Sequence, residues 1–365
     1  MKGYIPTLDG WRAIAIIGVM AFHGFQHYFD VGGRYENPWA KSVTAAGAKG
    51  VDIFFAISGF LICSRLLQEE EERGGISLKG FYIRRAFRIL PPALVYLFTL
   101  LIFTLLGLMA VYKSGILASL FFYRNYRGAD YNTAHFWSLS VEEHFYLLFP
   151  LLLTTLRRRN TMYVTVIISF AIAIWRYLSA RYSFIAPSWQ NIQHTDQCAD
   201  GLLWGCWTAL LVHSPANRDW LKRYLKTWVW LLLAAGLILN AKFRTPVSQM
   251  IQAALIPWLL LGTVIVPSSI VSRVLENRLL RWIGRLSYSL YLWQQLFLRL
   301  HDDTSLPTLF ALLQKFPLNF VFSFIAATLS YYLVEQPLVR RGHRLSKWLL
   351  DKDYDSKAIL AKAPS

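Results

Sequence analysis

Two adjacent carboxylates, Glu142 and Glu143, and a histidine, His144, stand inside the apolar stretch Phe136 to Pro150, FWSLSVEEHFYLLFP. The stretch continues as LLLTTL to a basic stop at Arg157-Arg158-Arg159. Read as a membrane-spanning helix, it carries carboxylates that cost about 2.5–3.5 kcal/mol each to insert. Such groups persist where they face a bundle interior or a water-filled cavity, or where one pairs with an arginine on a neighbouring helix. Neighbours in sequence point about 100° apart around a helix. The two glutamates therefore have different surroundings, one able to face a reaction cavity while the other braces a helix.

A second set of ionisable residues lies at a comparable depth. The first apolar run, LDGWRAIAIIGVMAFHGFQHY, holds Arg12 near one end and His23 eleven residues on, about 16 Å along the axis. The run GVDIFFAISGF holds Asp52. Measured by helical rise, His23, Asp52 and Glu142 lie roughly 12, 7 and 9 Å below the outer ends of their spans. A histidine beside a carboxylate suits general-base chemistry, because the carboxylate fixes the tautomer and stabilises the imidazolium. The same grouping suits a proton relay, and a lone histidine in an apolar helix is often a structural hydrogen-bonder.

On the opposite side lies LKGFYIRRAFRILPP, with Arg84, Arg85 and Arg88 ahead of Pro91-Pro92. Arg85 and Arg88, or Arg84 and Arg88, share a helix face. Arginine forks match phosphate, so a phosphate-bearing cofactor entering from the cytoplasm is compatible with this cluster. Anchoring to anionic lipid is the plain alternative.

The elements that would position these groups follow from composition. Of 365 residues, 55% are hydrophobic and 16% charged, with mean hydropathy +0.36. An ordinary soluble domain is excluded, and the fold class expected is all-α, a polytopic membrane helix bundle. Ten spans are expected near 11–29, 47–67, 90–112, 136–156, 161–180, 198–213, 228–241, 250–266, 286–300 and 318–336. Gly115 to Tyr123 is too short to cross and reads as re-entrant or interfacial. With the N-terminus inside, about 25 Lys and Arg fall on cytoplasmic segments and about 12 on external ones, which places both termini in the cytoplasm. In this setting the net charge of +17 reports membrane orientation and not nucleic-acid binding. Residues 1–340 are expected to form one transmembrane domain, with 341–365 a cytoplasmic tail. The first run has no small-residue cleavage site after it and reads as a retained span.

Other features are weaker. Tyr288, Tyr291 and Gln294 form an aromatic-polar stripe in RLSYSLYLWQQ that reads first as packing. Asp196 and Asp200 are available to an external polar substrate, Glu335 reads as structural, and Glu69 to Glu72 as a solvated helix end. Cys198 and Cys206 fall on one expected helix, about 12 Å apart, too far to bridge. No metal-ligand spacing, phosphate-binding glycine loop or GxSxG elbow occurs.

LDGWRAIAIIGVMAFH, GVDIFFAISGFLI, IRRAFRILP, FWSLSVEEHFYLLFP and IGRLSYSLYLWQQ, in this order, resemble the acyltransferase 3 family of bacterial membrane O-acyltransferases. The family includes enzymes that O-acetylate lipopolysaccharide O-antigen and other surface glycans. The resemblance runs from about Leu8 to Pro337 and implies an inner-membrane, multi-pass enzyme. It implies a cytoplasmic acyl donor, usually acetyl-CoA, and a glycan or lipid-linked sugar acceptor on the periplasmic side. Arg12 and His23 match the family's Arg-to-His motif, whose histidine is the essential catalytic residue. Arg85 and Arg88 match its RxxR motif, associated with the donor, and Glu142 and Glu143 its paired glutamates. Two departures stand out: many members carry histidine where Gln294 follows Trp293, and the hydrolase domain fused to some members has no counterpart, which leaves room for a separate periplasmic transferase. The rival function is a proton-coupled transporter, with His23 and Glu142 as relay and Arg12 as gate. It lacks the paired Gly/Pro-broken helices of inverted repeats.

Overall fold

In a computed structural model of the chain, residues 3–30, 44–127, 130–182, 194–240, 243, 245–266, 269–298 and 308–362 are described, without the side chains of 26–30, 308–310 and 352–362. Every regular element among them is helical. In chain order these are α1 (Pro6–Asp30), α2 (Gly50–Arg73), α3 (Leu78–Leu105), α4 (Lys113–Leu120), a 3-10 turn at Arg124–Tyr126, α5 (Tyr131–Ala134), α6 (Phe136–Thr155) and α7 (Arg158–Tyr182). Then come α8 (Thr195–Cys198), α9 (Asp200–His213), α10 (Pro215–Tyr224), α11 (Thr227–Asn240), α12 (Pro246–Ile265), α13 (Ile270–Leu275) and α14 (Arg278–Phe297). The chain continues through α15 (Thr308–Leu313), α16 (Leu318–Ser330), a π turn at Tyr331–Glu335 and α17 (Gln336–Lys362).

Among the described residues, five helices are by themselves long and apolar enough to cross a membrane: Thr44–Arg73, Leu78–Leu105, Arg158–Tyr182, Pro246–Ile265 and Leu318–Asp351. Helices α1, α6 and α14 match them in length, at 25, 20 and 20 residues. These three carry the polar residues singled out above, which lowers their apolar character. Leu101, Leu105, Leu148, Ile167 and Ile174 stay exposed on the outside of the bundle, where lipid would cover them. Buried polar residues such as Asn132, Ser140, Asp200 and Gln294 are turned inward.

Two boundaries differ from expectation. The third span starts at Leu78 and runs through Pro91-Pro92, so Arg85 and Arg88 lie inside a helix and not at its mouth. Ser77 explains the early start, since its hydroxyl accepts from the Gly80 N–H at 3.1 Å and caps α3. The tail expected from residue 341 begins inside α17, which packs along α3. Asp200, expected to face an external substrate, is buried in an ion pair with Arg176 at 2.8 Å, joining α9 to α7. Cys198 and Cys206 fall on separate helices, α8 and α9.

Close packing at small residues sets the helix spacing around the centre. Helix α1 lies between α2 and α14, and α9 lies along α2. A Cβ added to Gly284 of α14 would sit 1.9 Å from the Asp9 carbonyl oxygen, and one on Gly59 of α2 would sit 1.9 Å from that of Leu202. These helices therefore touch backbone to backbone, as small residues permit in membrane bundles. Gly59→Ala is expected to lower stability by about 1–3 kcal/mol, read as a lower thermal midpoint in detergent. Gly236→Ala, whose Cβ meets nothing within 4 Å, is expected to cause no loss. Equal midpoints for the two variants would remove the close-approach explanation.

Candidate functional site

Helices α1, α2, α3, α6 and α14 surround a cavity of about 690 Å³. Its polar wall includes Arg12, Arg85, Arg88, Glu142, Ser58, Ser138 and Tyr146, with Ser287, Tyr288 and Tyr291 from α14. Glu142 is held by two hydroxyls: Ser58 donates to one carboxylate oxygen at 3.3 Å and Tyr146 to the other. Tyr146 lies four residues after Glu142, on the same face of α6. Its ring also carries the Arg85 guanidinium, 4.7 Å from the ring centroid, a cation–π contact. Glu143 turns away, with Oε1 buried and unpaired among the described residues.

Arg12, Arg85 and Arg88 also line a second cavity, of about 600 Å³, with Arg65, Arg84 and His343. The shared arginines make the two chambers neighbours. Arg84 is committed elsewhere, pairing with Glu69 at 2.6 Å and donating to the Ser346 hydroxyl at 2.7 Å. Arg65, Arg85 and Arg88 form no ion pair among the described residues, and Arg12 meets Asp9 only at 3.6 Å. The chamber therefore holds an excess of guanidinium groups, the composition of an anion site. Glu335, on the π turn, is buried and accepts from Ser289 at 2.8 Å.

His23 occupies the far end of α1. Its Nδ1 lies 3.3 Å from Oε1 of Gln294. A carboxylate partner was expected, but Asp52 meets Lys49 at 3.9 Å and Glu142 faces the arginines. Nearby, the Tyr291 hydroxyl bonds Ser138 Oγ at 2.6 Å and the His135 carbonyl oxygen at 3.0 Å. His135 itself is buried among the rings of Tyr96, Phe136 and Tyr291. Neither of its ring nitrogens has a partner among the described residues.

Compared with families of known proteins, residues 5–335 match the model described as Acyltransferase domain, that of acyltransferase 3. The chain belongs to the acyltransferase 3 family. It is 28% identical to the peptidoglycan O-acetyltransferase OatA of Listeria monocytogenes over 97% of this chain and 59% of that protein. A putative O-acetyltransferase of Staphylococcus aureus is 28% identical over 94% and 59%, and the putative peptidoglycan O-acetyltransferase YrhL of Bacillus subtilis 27% identical over 94% and 58%. The chain thus spans about three-fifths of the length of these relatives. No solved structure matches it.

Of the candidate site residues read from the sequence, Arg12, Arg85, Arg88 and Glu142 meet in one cavity, while His23 and Asp52 are absent from its lining. Sequence reading missed Ser58, Arg65, His135, Ser138, Tyr146 and His343. Ser138 and Tyr146 could have been found, since they fall at i−4 and i+4 from Glu142. Tyr288 and Tyr291 prove to be cavity wall. Residues 31–43, between α1 and α2, lie outside the described residues. Because Arg84 links α3 to α2 and α17, Arg84→Ala is expected to lower stability by about 1–3 kcal/mol, the value of a charged hydrogen bond. A thermal midpoint in detergent equal to that of wild type would show the pair to be idle.

Proposed function

We propose that this protein is an O-acyltransferase that moves an acyl group, acetyl in the first instance, from cytoplasmic acyl-CoA to a hydroxyl of a cell-envelope glycan. The observation that carries the reading is the chamber in which Arg65, Arg85 and Arg88 stand without an ion pair among the described residues. Family membership supports it independently, and the relatives' names point to peptidoglycan as an acceptor to test beside lipopolysaccharide. The topology proposed is ten spans in a bacterial inner membrane, with both termini cytoplasmic.

Arg65, Arg85 and Arg88 suit the phosphate groups of a CoA donor, which forks of this kind bind. The rest of the donor has to bridge the distance to His23, and its pantetheine arm can cross much of a hydrocarbon core of about 30 Å. His23 would take the proton from the acceptor hydroxyl as the oxygen attacks the thioester carbon. The new C–O bond replaces the C–S bond, and the imidazolium returns the proton to the departing sulfur. Glu142, Tyr146 and Ser58 would keep the middle of the path polar. Asp52 is proposed to keep the outer end of α2 in place through Lys49.

The test is turnover of labelled acetyl-CoA by purified protein in nanodiscs. His23→Ala is expected to lose about 10²–10⁴ in rate, the worth of a positioned base, with donor binding retained. Arg85→Ala/Arg88→Ala is expected to weaken donor binding at least tenfold. Wild-type protein that neither binds nor consumes any acyl-CoA would remove the proposal.

A further inference from the structure

The structure puts Gln294 of α14 against His23 of α1. Its side chain is 0% exposed, and its Oε1 is the atom 3.3 Å from Nδ1. Its Nε2, equally buried, has no partner among the described residues. Buried amide hydrogens without an acceptor are expensive. In a bundle of this kind they mark a place where something else supplies the acceptor. Gln294 also continues a cavity wall. Ser287, Tyr288 and Tyr291 of α14 line the central chamber, and Gln294 follows on the face of Ser287 and Tyr291, at i+7 and i+3 from them. The unpaired amide therefore lies one turn beyond Tyr291, toward His23.

The chemistry of the pair is restrictive. Neutral imidazole has one donor and one acceptor nitrogen. A carbonyl oxygen can only accept, so Nδ1 carries the hydrogen and Nε2 keeps the lone pair. The amide can then use its remaining N–H groups on an oxygen that gains negative charge during reaction. We infer that Gln294 both sets the tautomer of His23 and donates to the carbonyl oxygen of the acyl group in transfer. This rests on the reading of His23 as the base. As the acceptor oxygen attacks, the thioester carbonyl π pair moves onto its oxygen, which Nε2–H of Gln294 meets. The pair returns to re-form the carbonyl as the C–S bond breaks, and the sulfur takes the proton from His23. A histidine at 294 could supply the same acceptor and donor, with one nitrogen for each.

The experiment compares wild type, Gln294→Met, Gln294→His and His23→Ala in nanodiscs, with acetyl-CoA as donor and an acceptor on which wild type is active. Gln294→Met keeps the length of the side chain and removes both polar functions. Its kcat is expected to fall about 10²-fold or more, in the range for loss of one oxyanion donor, with KM for acetyl-CoA within twofold. Gln294→His is expected to recover most of the lost kcat. A kcat for Gln294→Met within threefold of wild type, a loss carried by KM, or equal losses in Met and His would each overturn the inference. Activity retained in His23→Ala would remove the underlying reading instead. An inactive His23→Ala beside a fully active Gln294→Met would remove this inference alone.

Discussion

A guanidinium group without a counter-charge cannot rest in hydrocarbon, and this bundle holds several. Arg85 and Arg88 lie seven and ten residues into α3, about 10 and 15 Å from its start. Their neighbours compensate in kind. Glu142 comes from α6 and a tyrosine face receives the Arg85 charge. Glu335 sits close enough to Arg88 and Arg12 to feel both. The remaining positive charge is answered by open polar volume. The cavity is thus a physical consequence of the arginines as much as a place for a ligand. A tightly filled interior would leave these groups with no solvation.

Holding such a volume open requires helices that do not slide. The bundle does this with backbone contact at glycines on α2 and α14 and with hydrogen bonds that reach across helices. Trp11 donates to Thr263 at 3.0 Å, joining α1 to α12. Tyr288 donates to the Ile89 carbonyl at 2.7 Å, joining α14 to α3. Tyr96 donates to the Asn132 carbonyl at 2.8 Å, closing the far end of the bundle with α5. In a membrane the apolar effect does little between helices, so these contacts carry the specificity.

Much of this was legible in the residues. Helix positions and the polar character of α1 and α6 could be read from apolar runs and the charges that interrupt them, whereas helical rise alone groups Glu142 with His23 and Asp52 and not with Arg12, Arg85 and Arg88. Partner choice could not. Asp52 and Asp200 look alike in sequence as acids near a span end. Yet one meets Lys49 at the edge of the bundle, and the other is locked to Arg176 in its interior. That difference depends on how α7 packs on α9, which no local pattern encodes. Gln294 was read as the loss of a histidine. Its meaning came only with the 3.3 Å approach to a residue 271 positions away.

Arg12 and His23 share one helix, uninterrupted by proline between them. Eleven residues make three turns and about 20°, so both side chains look to the same side. The separation of the anion chamber from the histidine is thus written into the covalent repeat of α1 and does not depend on how other helices settle. Substitutions along this stretch leave that register untouched, whereas inserting or deleting one residue would turn the histidine by about 100° relative to the arginine. Helix α1 acts as a ruler. Its tolerance is to chemistry and not to length, and its scale is fixed for any molecule that has to touch both marks.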